Sequence, residues 1–246
     1  MKFFIHPDYH SMEAGIRQVP LSFVHDGKVI HSGRNVIKEL RIGEMMLVVK
    51  RYKRPSFIQR VIYTFFRSSK AERAFKFAGY FRSVGIDTPQ EIAYLEVKEK
   101  GLFAIGYFIS QYTSLPSLMS SLVETPDFNR KLADDFVALV VEMHQKGIFH
   151  GDMNLSNVLY NKGKDGNYHF ELIDINRTKF ASETRERCLK NLTRIVHRKD
   201  LYEYIVRRYA QMRGWNEEEC LSICLKNLHR FEQKKKVRRW LKTLIS

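Results

Sequence analysis

Cysteine is scarce in this 246-residue chain, acidic residues are in the minority, and no apolar run approaches the length of a membrane span. The three cysteines, Cys188, Cys220 and Cys224, are odd in number and show no paired zinc spacing. That excludes a disulfide framework and reads as reduced, buried small hydrophobes. The longest uninterrupted apolar run is Phe136–Val141, far short of the roughly 18 to 20 residues a spanning helix needs. At the start, the apolar stretch Met1–Ile5 is interrupted by His6, Pro7 and Asp8 before a signal-peptide core can form, so a cytoplasmic protein is expected. Against 27 Asp and Glu stand 42 Lys and Arg, a net charge of +15. An anionic partner follows: nucleic acid, an acidic membrane surface, or a phosphorylated or carboxylated substrate. Nucleic acid has charge alone behind it, because the chain carries no recognised nucleic-acid module or aromatic stacking platform.

What is present is a globular composition, 44% hydrophobic with 17 Phe and 12 Tyr, on a chain long enough for one domain or two lobes. Short strand patterns open it at Phe23-Val24, Lys28–His31, Val36–Leu40 and Met45–Lys50, separated by turn residues such as Asp26-Gly27 and Ser32-Gly33-Arg34-Asn35; antiparallel hairpins are the expected product. The run Ser69-Lys70-Ala71-Glu72 fits a capping box, and Ala74, Phe75, Ala78 and Phe81 give the helix behind it an apolar face. Strands resume at Glu91–Val97 and Leu102–Ile109. Beyond residues 110–114 the pattern becomes helical, with Thr125-Pro126-Asp127 read as a helix start, Leu132 to Met143 as its core stripe and Gly147 as its stop. Two short strands, Val158–Tyr160 and Phe170–Ile173, flank a polar turn, and helix is expected from about Glu183. The organisation expected is a strand-rich lobe over 1–109, a hinge at 110–114 and a helix-rich lobe over 115–246, an α+β chain.

Phosphoryl transfer needs metal ligands, a cation on the phosphates and a carboxylate that orients the attacking hydroxyl. His150-Gly151-Asp152, with Asn157 five residues after the aspartate, follows a glycine-terminated helix and precedes a strand. Asp152 is assigned as acceptor of the hydroxyl proton and Asn157 as a magnesium ligand. The strand ending at Ile173 delivers Asp174, a second hard carboxylate ligand, and His150 is read as a brace for the loop. In the first lobe Lys50 ends a strand and is assigned to the ATP phosphates, in preference to Lys53 beyond it, with Glu72 as its ion-pair partner; Glu72 alternatively serves only the helix terminus. Gly33 and Arg34 in the first hairpin, and Gln111 and Tyr112 in the hinge, complete the nucleotide-binding set.

These residues carry a resemblance to the lipopolysaccharide core kinases, especially bacterial kinases of 3-deoxy-manno-octulosonic acid (Kdo). It runs through Gly147–Leu159, Leu172–Arg177 and Lys190–Arg194, and extends over about residues 25–205. The resemblance implies a bilobal protein-kinase-like fold, with an antiparallel-sheet N-lobe holding one main helix and a mostly helical C-lobe. It also implies ATP with Mg2+ and phosphorylation of a sugar hydroxyl on a lipid-linked inner core. Protein kinases carry Asp-Phe-Gly where this chain has Asp174-Ile175-Asn176, and an arginine where it has Gly151. Those departures favour a sugar or lipid acceptor over a protein and leave a phosphorylated activation loop without its arginine. The basic C-terminal stretch, with Arg230, Lys234, Lys235, Lys236, Arg238, Arg239 and Lys242 among Phe231, Val237, Trp240, Leu241 and Leu244, has two readings. It is an amphipathic helix on an anionic inner-membrane surface, or a solvated face with Trp240 and Leu244 packed on the second lobe.

Overall fold

The structure, a computed structural model, describes residues 1–195 and 198–243, without the side chains of residues 235, 238, 239 and 242. Of the expectations above, those on Lys235, Arg238, Arg239, Lys242 and Leu244 lie outside what is described. The chain forms two units, one made of Met1–Ser114 with Asp174–Asn176, the other of Leu115–Ile173 with Arg177 onward.

In chain order the first unit contains β1 (Lys2–Ile5), α1 (Glu13–His25), β2 (Lys28–Ser32), β3 (Val36–Ile42), β4 (Met45–Arg51), α2 (Phe57–Phe65), α3 (Lys70–Ser83), β5 (Glu91–Glu99) and β6 (Leu102–Gln111). The six strands form one sheet in the order β1-β5-β6-β4-β3-β2, and each neighbouring pair is antiparallel. Both faces of this sheet are covered. On one, Ile16, Val19 and Phe23 of α1 pack with Leu40, Leu47, Val49, Leu95, Tyr107 and Ile109; on the other, Ala71 and Phe75 of α3 pack with Tyr52, Tyr94 and Phe108. Double coverage explains why β5 reads as a continuous apolar run rather than an alternation. The hydroxyl of Ser69 accepts from the Glu72 amide at 3.1 Å and caps α3 as the capping pattern predicts.

Three elements of this unit depart from expectation. Phe23-Val24 is the last turn of α1, not a strand, because Ile16, Val19 and Phe23 recur at helical spacing and bury one face. Neither β1 nor α2 was anticipated, so the sheet unit carries three helices and not one.

The second unit contains α4 (Leu118–Leu122), α5 (Arg130–Gln145), β7 (Ile148–Phe149), β8 (Val158–Lys162), β9 (Tyr168–Leu172), β10 (Lys179–Phe180), α6 (Arg185–Asn191), α7 (Lys199–Met212) and α8 (Glu217–Thr243). Strand β7 pairs with β10, and β8 with β9. Leu132, Phe136, Val137, Val140 and Met143 give α5 a fully buried stripe. Its start is Asn129, whose side chain accepts from the Leu132 amide at 3.0 Å; Thr125-Pro126-Asp127 lies before the helix, and the cap four residues after Thr125 wins because its oxygen reaches that amide. At the far end of α5, buried His144 bonds the Tyr209 hydroxyl of α7 through Nδ1 at 2.8 Å and the Asn191 carbonyl oxygen of α6 through Nε2 at 3.0 Å. Trp240 is 61% exposed, which overturns its packing on this unit.

Candidate active site

Site residues expected from the sequence fall in both units. In the first, β4 alternates strictly: Leu47 and Val49 point into the α1 side of the sheet, which sends Lys50 to the other face. There its ammonium donates to Asp174 Oδ1 at 2.6 Å and lies 5.5 Å from the centre of the Tyr52 ring. Asn176 Nδ2 donates to the same oxygen at 2.5 Å, so Asp174 Oδ2 takes part in neither bond. Asp174 sits at φ 55°, a left-handed backbone that a residue with a Cβ adopts at a cost of about 1–3 kcal/mol and that recurs at functional sites. Burial raises the pKa of the Tyr52 hydroxyl, and the negative charge of Asp174 raises it further, keeping it neutral beside the pair. Lys53, the rival cation, is exposed, with its backbone amide bonded to Asn35 Oδ1 at 3.1 Å.

Glu72 is the correction in this unit. Its carboxylate is held by Lys2 at 3.0 Å and Lys76 at 2.6 Å, while Lys50 takes Asp174. The added strand β1 brings Lys2 to Glu72, and the i, i+4 spacing brings Lys76. Burial opposes ionisation of Glu72, but the two lysines outweigh it and hold its pKa below the usual carboxylate value. Gly33 donates its amide to Asn35 O at 3.1 Å, so that N–H closes the β2–β3 turn instead of reaching toward a phosphate. Arg34, Gln111 and Tyr112 are exposed; the Gln111 amide is bonded to Gln90 O and that of Tyr112 to Met46 O.

In the second unit the loop after β7 is braced from beneath. Buried His150 accepts the Asp152 amide on Nδ1 at 3.1 Å, which leaves the proton on Nε2 to be donated to Ile173 O at 3.1 Å. Asn191 Nδ2 donates to His150 O. Asn157 donates Nδ2 to Asp152 O at 2.9 Å, which turns its own carbonyl oxygen away from that contact. Asn157 and Asp174 each carry an oxygen outside these bonds, the donor type that magnesium selects. Among the described residues no cluster of three His, Cys, Asp or Glu forms a ready-made metal cage.

Arg177 is a residue the sequence reading passed over. Its Nη1 donates to Asp152 Oδ2 at 2.7 Å, with the arginine half exposed. A Cβ on Gly151 would lie 2.3 Å from Arg177 O, so only glycine permits the Asp152 loop to lie this close to the Arg177 backbone. The available signal was Gly151 itself, standing where a protein kinase has arginine.

A model of the lipopolysaccharide kinase (Kdo/WaaP) family matches residues 47–215, which contain Lys50, Asp152, Asn157, Asp174 and Arg177. The 3-deoxy-D-manno-octulosonic acid kinase of Vibrio vulnificus (strain YJ016) is 24% identical over 139 residues, spanning 54% of this chain and 58% of that protein. A solved structure of WaaP in complex with acyl carrier protein superposes with a TM-score of 0.60 at 14% identity, covering 96% of this chain and 98% of that one. The fold is protein-kinase-like, as the family resemblance implies.

Proposed function

From a chain that belongs to the lipopolysaccharide kinase (Kdo/WaaP) family, we infer an enzyme that transfers the γ-phosphoryl group of ATP to a sugar hydroxyl, of Kdo or a heptose, on a lipid-linked inner core at the cytoplasmic membrane face. The observation that carries this reading is the ion pair between Arg177 and Asp152 on a loop locked by His150. A carboxylate held this way is a fixed proton acceptor. The acceptor hydroxyl gives its proton to Asp152 as its oxygen bonds to the γ-phosphorus, the bond to the β-phosphate oxygen breaks, and ADP leaves. Arg177 holds Asp152 in one rotamer until the sugar arrives, then offers its guanidinium to the sugar acid's carboxylate, for which its planar fork is suited. Lys50 turns from Asp174 to the nucleotide phosphates. Asp174 and Asn157 supply the oxygens for Mg2+, which when bound neutralises phosphate charge.

Purified chain with labelled ATP and Mg2+ is expected to label lipid-linked Kdo in preference to protein or soluble aminoglycoside acceptors. Label found only on protein would sink the reading. Asp152→Asn is expected to lower transfer by about 10²–10⁴-fold, the usual worth of general-base catalysis, with the thermal midpoint retained.

A further inference from the structure

Helix α2 is turned inside out. Its polar residues face the protein: Arg60 Nε donates to Phe103 O at 2.8 Å and Nη2 to Glu99 O at 3.1 Å, and Thr64 Oγ1 accepts from the Phe103 amide at 2.9 Å. The Tyr63 ring packs edge-on against Phe103. Those bonds to the β5–β6 hairpin fix the rotation of the helix about its own axis, and the apolar side chains are left pointing outward. Phe57 is 69% exposed, Ile58 72%, Ile62 38% and Phe65 68%, and Phe66 just past the helix is 81% exposed; no residue of the helix is buried. A surface helix of a soluble protein shows the opposite arrangement, and a contiguous exposed row of this kind marks a contact surface.

The charge around the row identifies what it contacts. From Arg51 to Ala71 the chain has Arg51, Lys53, Arg54, Arg60, Arg67 and Lys70 and no Asp or Glu. Exposed Lys53 and Arg54 precede the helix and exposed Arg67 follows it, although Arg54 also pairs with Glu99 at 2.6 Å. Phe and Ile in one stripe with cations at both ends match the interfacial zone of an anionic bilayer, where the rings enter the acyl boundary and the cations meet phosphate headgroups. A protein partner would be met by hydrogen-bonding groups, and here Arg60 and Thr64 have turned theirs inward; Gln59 is the polar exception on the exposed side. We propose that the outward face of α2, Phe57, Ile58, Ile62, Phe65 and Phe66 with the cations Lys53 and Arg67, is the surface by which this protein docks on an anionic membrane. The proposal deepens the reading of a lipid-linked acceptor, since it brings the enzyme to the surface where that acceptor is anchored.

The test is flotation of the full chain, without nucleotide or sugar, with vesicles of phosphatidylethanolamine and phosphatidylglycerol in a 3:1 ratio, roughly the regime where anionic lipid attracts basic segments. The wild-type chain is expected to float with these vesicles, less so at high salt and on pure phosphatidylcholine. A variant carrying Phe57→Ser, Ile58→Ser, Phe65→Ser and Phe66→Ser is expected to lose at least about tenfold in partition, given four large apolar groups removed from the bilayer contact, with an unchanged thermal midpoint. Lys53→Glu with Arg67→Glu is expected to lower binding to the anionic vesicles only. A quadruple variant that floats as the wild type does, or a wild-type chain that stays unbound, overturns the proposal. So does loss of binding to an acidic acyl carrier protein in the variant with vesicle binding intact, which would assign the face to a protein. Phosphorylation of delipidated Kdo is measured alongside. Transfer retained by the quadruple variant leaves the kinase reading standing whatever the vesicles show, and no transfer by either chain strikes that reading while the flotation result remains valid.

Discussion

Asp152 and Arg177 form a pair whose members do different work, and substitutions separate them. Arg177→Ala removes the guanidinium that would meet the acceptor's anionic group, so we expect KM for an anionic sugar acceptor to rise by at least about tenfold, the scale of a lost charge-assisted hydrogen bond. KM for ATP is expected to stay within a factor of about two. Equal losses for anionic and neutral acceptors would remove carboxylate recognition from Arg177. At Lys50 and Glu72 the structure makes a second separation: Lys50→Met is expected to raise KM for ATP and cut kcat, whereas Glu72→Gln, which loosens Lys2 and Lys76, is expected to change ATP kinetics by less than about threefold, because Lys50 keeps its own partner Asp174. Steady-state kinetics on both variants checks this. The spacing from Asp152 to Asn157 was legible because the bond it makes is local, closing five residues into one loop. Lys50 was legible because strand alternation decides its face. Arg177 and the partner of Glu72 were not, since each contact depends on chain neighbours brought together by the fold, and spacing carries no record of Lys2 lying beside a residue 70 positions on.

At the scale of elements, caps and alternation were readable and inverted or interrupted helices were not. Ser69 announces α3 because its hydroxyl and the Glu72 amide are three residues apart; Ser69→Ala is expected to cost about 1 kcal/mol in urea unfolding, and Asn129→Ala about the same at α5. Helix α1 was hidden by Pro20, which lies inside it and argues against helix on any propensity scale. Helix α2 was hidden for another reason. Apolar periodicity is a guide to the core face of a helix, and here the tertiary bonds of Arg60 and Thr64 overrule it, so the pattern carries information about an outside contact. Thr125-Pro126-Asp127 shows the converse error, a good helix-start pattern bypassed because Asn129 makes the cap.

For the molecule as a whole, His144 sets an acid limit on stability. Burial lowers its pKa to about 4 from an ordinary 6.5, so the folded chain holds it neutral. As pH falls through 6.5 the unfolded chain takes up a proton that the folded chain refuses, and stability declines until about pH 4, where the folded form protonates as well. The span corresponds to about 3 kcal/mol. Urea midpoints at stepped pH are expected to fall over this window, and His144→Gln is expected to flatten the fall. A midpoint profile unchanged by that substitution would show that other groups govern acid unfolding. The outward face of α2 has a further consequence, colloidal in kind. At low salt a net charge of +15 keeps copies apart, but at about 1 M salt the Debye length shrinks to roughly 3 Å and hydrocarbon faces can meet. Salt is therefore expected to drive two processes in opposite directions, releasing the chain from vesicles while promoting its self-association in their absence, with light scattering reporting the second and the quadruple serine variant abolishing it.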